Sequence, residues 1–174
     1  MNRRDALKAG AVAVALPGLA PAAPQSAPAA SWTPSLLSEH QNATVIVLTD
    51  LIIPTTDTPG AKDANVNRYI DLFLKDGGEG DRARFLNGLE WLDTYTTAQH
   101  GKKFIELPKA TQIKVLEVLD KGESPAVQEG HEFFRLVKSM TVRVYYNTEA
   151  GFRELNKGGR VPGTFGCGHS GNHA

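Results

Sequence analysis

A chain of 174 residues with 19 basic and 19 acidic side chains has no positive surplus with which to hold nucleic acid or an anionic membrane surface. Its one cysteine excludes an internal disulfide, and 41% apolar residues over this length suffice for a single-domain core without covalent staples.

The chain opens on MNRRDALKAGAVAVALPGLAPAAP. Arg3, Arg4 and Lys8 form a positive n-region, and Ala9 to Leu16 is a mild, alanine-rich apolar run. Small residues at Ala20 and Ala22, or Ala27 and Ala29, offer cleavage sites of the A-x-A kind. Paired arginines followed by DALK read as a twin-arginine export signal. Residues 1–30 are therefore expected to be a signal peptide and an Ala/Pro-rich linker, with the mature chain delivered to the periplasm. The apolar run falls short of the roughly 20 residues that span a bilayer, and no later run is longer. Without the leader, Lys+Arg drops from 19 to 16 and Asp+Glu from 19 to 18, a net charge of −2.

From residue 31 to 148 the apolar period is helical. The first predicted helix has Thr33 as N-cap and Pro34 at its first position, carries Leu36, Leu37, Val47, Leu48, Leu51 and Ile52 on one face, and stops before Pro54. TTDTPGAKDA is a loop with Pro59-Gly60 turn chemistry, in which Asp57 and Asp63 serve as turn and cap residues. A second helix runs through Tyr69, Ile70, Phe73 and Leu74 to Gly77. A third, capped by Asp81, has the stripe Phe85, Leu89, Leu92 and Tyr95, with Trp91 on its flank. The fourth points Ile113, Leu116 and Leu119 inward and ends at Gly122. The fifth, with Ser124 as cap and Pro125 first, carries Phe133, Phe134, Val137, Met140, Thr141, Val144 and Tyr145 to about Asn147. No strand-like alternation persists. The expected class is all-α, a compact bundle of about five helices.

Residues 149–174 change character, with seven glycines and one proline in 26 residues and Phe152, Leu155, Val161 and Phe165 spaced along them. Such a segment cannot bury itself; it is read as an extended arm whose apolar anchors dock on a partner.

Catalytic and cofactor motifs are missing. No G-x-G-x-x-G follows a strand, and HEFFR (131–135) lacks the second histidine of H-E-x-x-H. GCGH is not the haem-attaching C-x-x-C-H, and no G-x-S-x-G is present. His40 and His131 fall on helix faces as hydrogen-bonded structural residues. Cys167, His169 and His173 form a candidate zinc or copper set in the glycine-rich terminus, and a small periplasmic metal-binding or redox protein is the alternative reading.

Three stretches resemble the gluconate 2-dehydrogenase subunit 3 family: LTDLIIPTTDTPGAKDANVNRYIDLFL, FFRLVKSMTVRVYYNTEAGFRELN and VPGTFGCG. The resemblance implies a non-catalytic small subunit, with no cofactor of its own. Its large partner would carry FAD, in some complexes an iron–sulfur cluster, and would oxidise a sugar, sugar acid or polyol. A multihaem cytochrome c subunit would pass electrons to quinone. It further implies that the small subunit supports maturation and export of the large one. The twin-arginine route agrees, since it moves proteins already folded, and a chain without a cofactor site has no need of it on its own account. Tyr145, Tyr146, Phe152, Val161, Phe165 and Cys167 are then the expected partner contacts. Cys167 is an interchain disulfide, a free thiol buried at the interface, or an idle residue; in an oxidising compartment the bridge is favoured.

Overall fold

The computed structural model of the protein describes residues 32–156. The chain divides into two units between Trp32 and Thr33, and every helix described belongs to the second. Among the described residues there are six α-helices and no strand: α1 (Glu39–Ile52), α2 (Val66–Asp76), α3 (Glu79–His100), α4 (Lys109–Lys121), α5 (Gln128–Tyr145) and α6 (Glu149–Leu155). Short 3₁₀ turns precede α4 at Phe104–Glu106 and α5 at Pro125–Val127. The class is the all-α bundle expected. The additional helix, α6, occupies the start of the segment read as an extended arm; the rest of that arm, from 157, lies outside the described residues.

The first helix begins five residues later than Thr33-Pro34 predicts, and the reason is a competing acceptor. The Asp71 carboxylate on α2 accepts hydrogen bonds from the N–H of Ser35 (2.8 Å), Leu36 (3.0 Å) and Leu37 (2.8 Å), and from the Ser35 hydroxyl (2.7 Å). These amides are satisfied without a helix. Ser38 then caps α1 in a capping box: its hydroxyl accepts from Gln41 N–H, while the Gln41 side chain accepts from Ser38 N–H. The loop after α1 closes on itself through Ala61 N–H to Ile53 O (2.9 Å) and the Thr55 hydroxyl to Asp63 (2.6 Å).

Helix α5 is the hub, packed on α1, α2, α3 and α4. Val45 and Leu48, Ile70 and Leu74, Phe85 and Leu92, Leu119, Val137 and Tyr145 are wholly or almost wholly buried around it. Each large apolar side chain buried in this way is worth about 1.5–3 kcal/mol relative to exposure. The α3–α5 contact is close because each helix offers the other a notch. Phe133 of α5 seats where Gly88 of α3 has no side chain, and Trp91 of α3 lies against Gly130 of α5. Phe133 also meets Phe85 edge-on, ring centres 5.7 Å apart.

Three helix details differ from expectation. Asp81 lies in the first turn of α3, after Glu79, where both charges suit the helix dipole; Gly78 is the cap residue. On α4 the inward face is Gln112, Val115, Leu116 and Leu119, which leaves Ile113 exposed. Ser124 and Pro125 open the 3₁₀ turn, and α5 continues from it at Gln128.

Candidate functional site

Helix α2 sets the geometry of the most unusual surface. Its positions 66, 70 and 74 recur at helical spacing and bury Val66, Ile70 and Leu74, with Asn67 and Asp71 also inside. A polar outer face would complete an ordinary amphipathic helix. Here the exposed positions hold Tyr69, Leu72 and Phe73 alongside Arg68, Lys75 and Asp76. They border a groove shared with Arg143, Val144 and Asn147 of the α5 end and with Thr148. The Arg143 guanidinium lies over the Phe73 ring, 5.8 Å from its centre. Val142 and Tyr146 of the same α5 end are also exposed, as are Phe152 and Leu155 of α6. These seven apolar side chains are between 36 and 63% exposed.

Tyr145 holds the arrangement from beneath. It is fully buried, so the structure makes it a core residue and not the partner contact expected of it. Its hydroxyl lies 2.7 Å from the Pro59 carbonyl and 2.9 Å from the Glu154 carboxylate. One phenol thus joins the loop after α1, the end of α5 and α6. Burial, then the Glu154 hydrogen bond and charge, push its pKa up to about 12. Gly151 fits α6 tightly against the Tyr145 carbonyl, and Thr148 caps α6 by accepting from Gly151 N–H. The loop and the α5–α6 stretch that carry the family resemblance therefore meet at Tyr145.

Tyr146 and Phe152, the other expected contacts within the described residues, are on the surface. Val161, Phe165 and Cys167 lie outside the described residues, as do Arg3, Arg4, His169 and His173. Sequence reasoning missed the contribution of Tyr69, Leu72 and Phe73. Its signal is present: α2 holds more apolar residues than an inward stripe can use.

A second polar cluster has the look of catalytic machinery. His40 Nε2 of α1 contacts Asp93 Oδ2 of α3, and Asp93 Oδ1 accepts from Phe104 N–H (3.2 Å). A histidine oriented by a carboxylate is the base half of a nucleophilic triad. Three of the neighbouring hydroxyls are engaged elsewhere, however. Thr44 donates to the His40 carbonyl (3.0 Å), Thr94 to the Glu90 carbonyl (2.9 Å), and Ser38 caps α1. The pair is a joint between α1, α3 and the turn before α4. His131 is structural as well, its Nδ1 donating to the Leu119 carbonyl at 2.8 Å. Among the described residues no group of three or more His, Cys, Asp or Glu side chains is placed to hold a metal ion. No helix among them is long and apolar enough to cross a membrane.

The family model for gluconate 2-dehydrogenase subunit 3 matches residues 39–160. The chain belongs to that family. Neither a curated protein nor a solved structure matches it significantly. Membership of the subunit 3 family makes the chain a subunit of a dehydrogenase complex and implies partner subunits. The match covers all six helices, and thus both the buried Tyr145 joint and the exposed α2–α5 face.

Proposed function

We propose that this chain is the non-catalytic small subunit of a membrane-associated, FAD-dependent dehydrogenase of sugars, sugar acids or polyols. Its work is to support maturation of the large flavin subunit, carry it through the twin-arginine route to the periplasm, and stabilise it there. A multihaem cytochrome c subunit completes the assembly. The observation that carries this reading is the family match over residues 39–160. Two features support it. Thr44 and Thr94, beside the one His–Asp pair described, donate to backbone carbonyls of their own helices, and among the described residues Tyr69, Leu72 and Phe73 of α2 stand exposed.

The carrier role is tested at the leader. With Arg3→Lys and Arg4→Lys together, both this chain and the flavin subunit are expected to stay in the cytoplasm, and periplasmic dehydrogenase activity to fall to background. Undiminished export of the flavin subunit beside the double variant would refute the carrier role.

A further inference from the structure

We propose that the Tyr145 hydroxyl is a two-position catch, whose one proton holds either the loop after α1, at Pro59, or helix α6, at Glu154. The catch does not depend on the functional reading above. A phenol has a single proton to give, while a carbonyl and a carboxylate can only accept. Both acceptors stand within bonding distance of the Tyr145 oxygen, the Pro59 carbonyl at 2.7 Å and the Glu154 carboxylate at 2.9 Å. A bond donated fully to one is withdrawn from the other. Burial, then Glu154, hold the phenol's pKa at about 12, so the proton stays on the oxygen at any ordinary pH. The Thr58 side chain, on the same loop as Pro59, favours the ionised oxygen without reversing that rise.

Helix α6 has little else to hold it. Its seven residues fall well under the roughly 12–15 at which an isolated helix becomes even marginal in water. Gly151 is buried and Ala150 partly so, but its large apolar side chains, Phe152 and Leu155, are 52% and 63% exposed. No large apolar burial therefore anchors α6 to the bundle. The Arg153–Glu149 ion pair lies within the helix and is exposed at both ends, so it fastens α6 to nothing. The Thr148 cap and the fit of Gly151 at the Tyr145 carbonyl secure the first turn, and the Glu154–Tyr145 bond secures the last. The loop, in contrast, has bonds of its own. Ala61 N–H donates to the Ile53 carbonyl (2.9 Å), Gly60 N–H to the Thr55 hydroxyl (3.2 Å) and that hydroxyl to Asp63 (2.6 Å). Helix α6 accordingly opens as a unit of its own, below the free energy of global unfolding, and each opening returns the proton to Pro59. Loop and helix are thus coupled with opposite sign through one oxygen that both segments bias.

Amide hydrogen exchange on the full chain tests this, with the core of α5 around Val137 as the reference for global unfolding. In Glu154→Ala the proton passes to Pro59 alone. Amides of α6 should then exchange about tenfold faster, while those of Gly60 and Ala61 slow by about threefold and the core is unchanged. In Glu154→Gln the side-chain amide can donate to the phenol oxygen while the phenol donates to Pro59, so both segments should slow relative to wild type. Tyr145→Phe removes the donor and should speed exchange in both. Should that variant fail to fold, the two Glu154 variants, altered at a partly exposed position, decide alone. Loop exchange that is unchanged or faster in Glu154→Ala would overturn the catch, since no proton would then have passed to Pro59. A Glu154→Gln variant indistinguishable from wild type would overturn it too, by showing both bonds to be made at once. So would α6 amides in the wild type that exchange only as fast as the core, because α6 would then have no opening of its own.

Discussion

Asp71 shows how one buried charge decides where a helix starts. Burial alone would raise its pKa, but the hydrogen bonds from Leu37, Ser35 and Leu36 outweigh it and hold the carboxyl below its usual value of 3.8. A group depressed in the folded state stabilises above its unfolded pKa, and that contribution is lost as pH falls through the folded value. Stability from this clamp should therefore be complete above about pH 4 and decline below it. Asp71→Ala leaves three amides and a hydroxyl without their acceptor and is expected to cost about 2–4 kcal/mol at neutral pH. The variant should also lose part of the acid-side decline seen in the wild type. Urea titrations at pH 7 and at several values below 4 check both; an unchanged midpoint at pH 7 would show the clamp to be idle. None of this is legible in the sequence. Asp71 follows Ile70 as an ordinary polar residue in a helix, and Thr33-Pro34 is a sound start signal. The competing acceptor lies about 35 residues away, beyond the reach of any local rule.

The helices themselves are legible wherever period and punctuation coincide. Pro54 ends α1, Gly122 closes α4 in the left-handed conformation, and the Phe133-to-Tyr145 stripe of α5 is the hub of the core. A face is misassigned where apolar residues exceed the stripe, as with Ile113 on α4. Helix α6 escapes a sequence reading because glycine richness suggests extension, whereas Gly151 is the residue that lets α6 close on Tyr145. The glycines of the α3–α5 contact are equally silent in sequence, where mid-helix glycine reads only as a cost of about 1 kcal/mol against alanine. Gly88→Ala puts this to the test. Propensity alone would make the variant more stable, but its new methyl meets the Phe133 ring, and overpacking costs about 1–3 kcal/mol. A lowered melting temperature is expected, with reduced burial of Phe133 by near-ultraviolet circular dichroism. A raised melting temperature would mean that the contact relaxes freely.

At the scale of the molecule, a few polar side chains fasten several elements at once. The His40–Asp93 pair fastens three elements, Tyr145 fastens three more, and the exposed large apolar residues fall on α2, α4, the end of α5 and α6. The leader expected at residues 1–30, on a chain whose sequence shows no cofactor motif, is what suggests a partner in sequence. Exposure is only partly foreseeable: Tyr146 and Phe152 are on the surface, Tyr145 is buried, and the α2 residues show in sequence only as more apolar positions than an inward stripe can use. Periodicity reports that a residue is apolar, but the burial of each side depends on which neighbours the fold supplies. The division of labour between this chain and a flavin subunit is tested most directly by the composition of the native complex, through mass spectrometry under non-denaturing conditions with activity assayed on the same fractions. This chain should be found bound to a subunit that holds the FAD, with substrate oxidation following that subunit and absent from the isolated chain. Flavin bound to this chain alone, or turnover by it alone, would rule that division out.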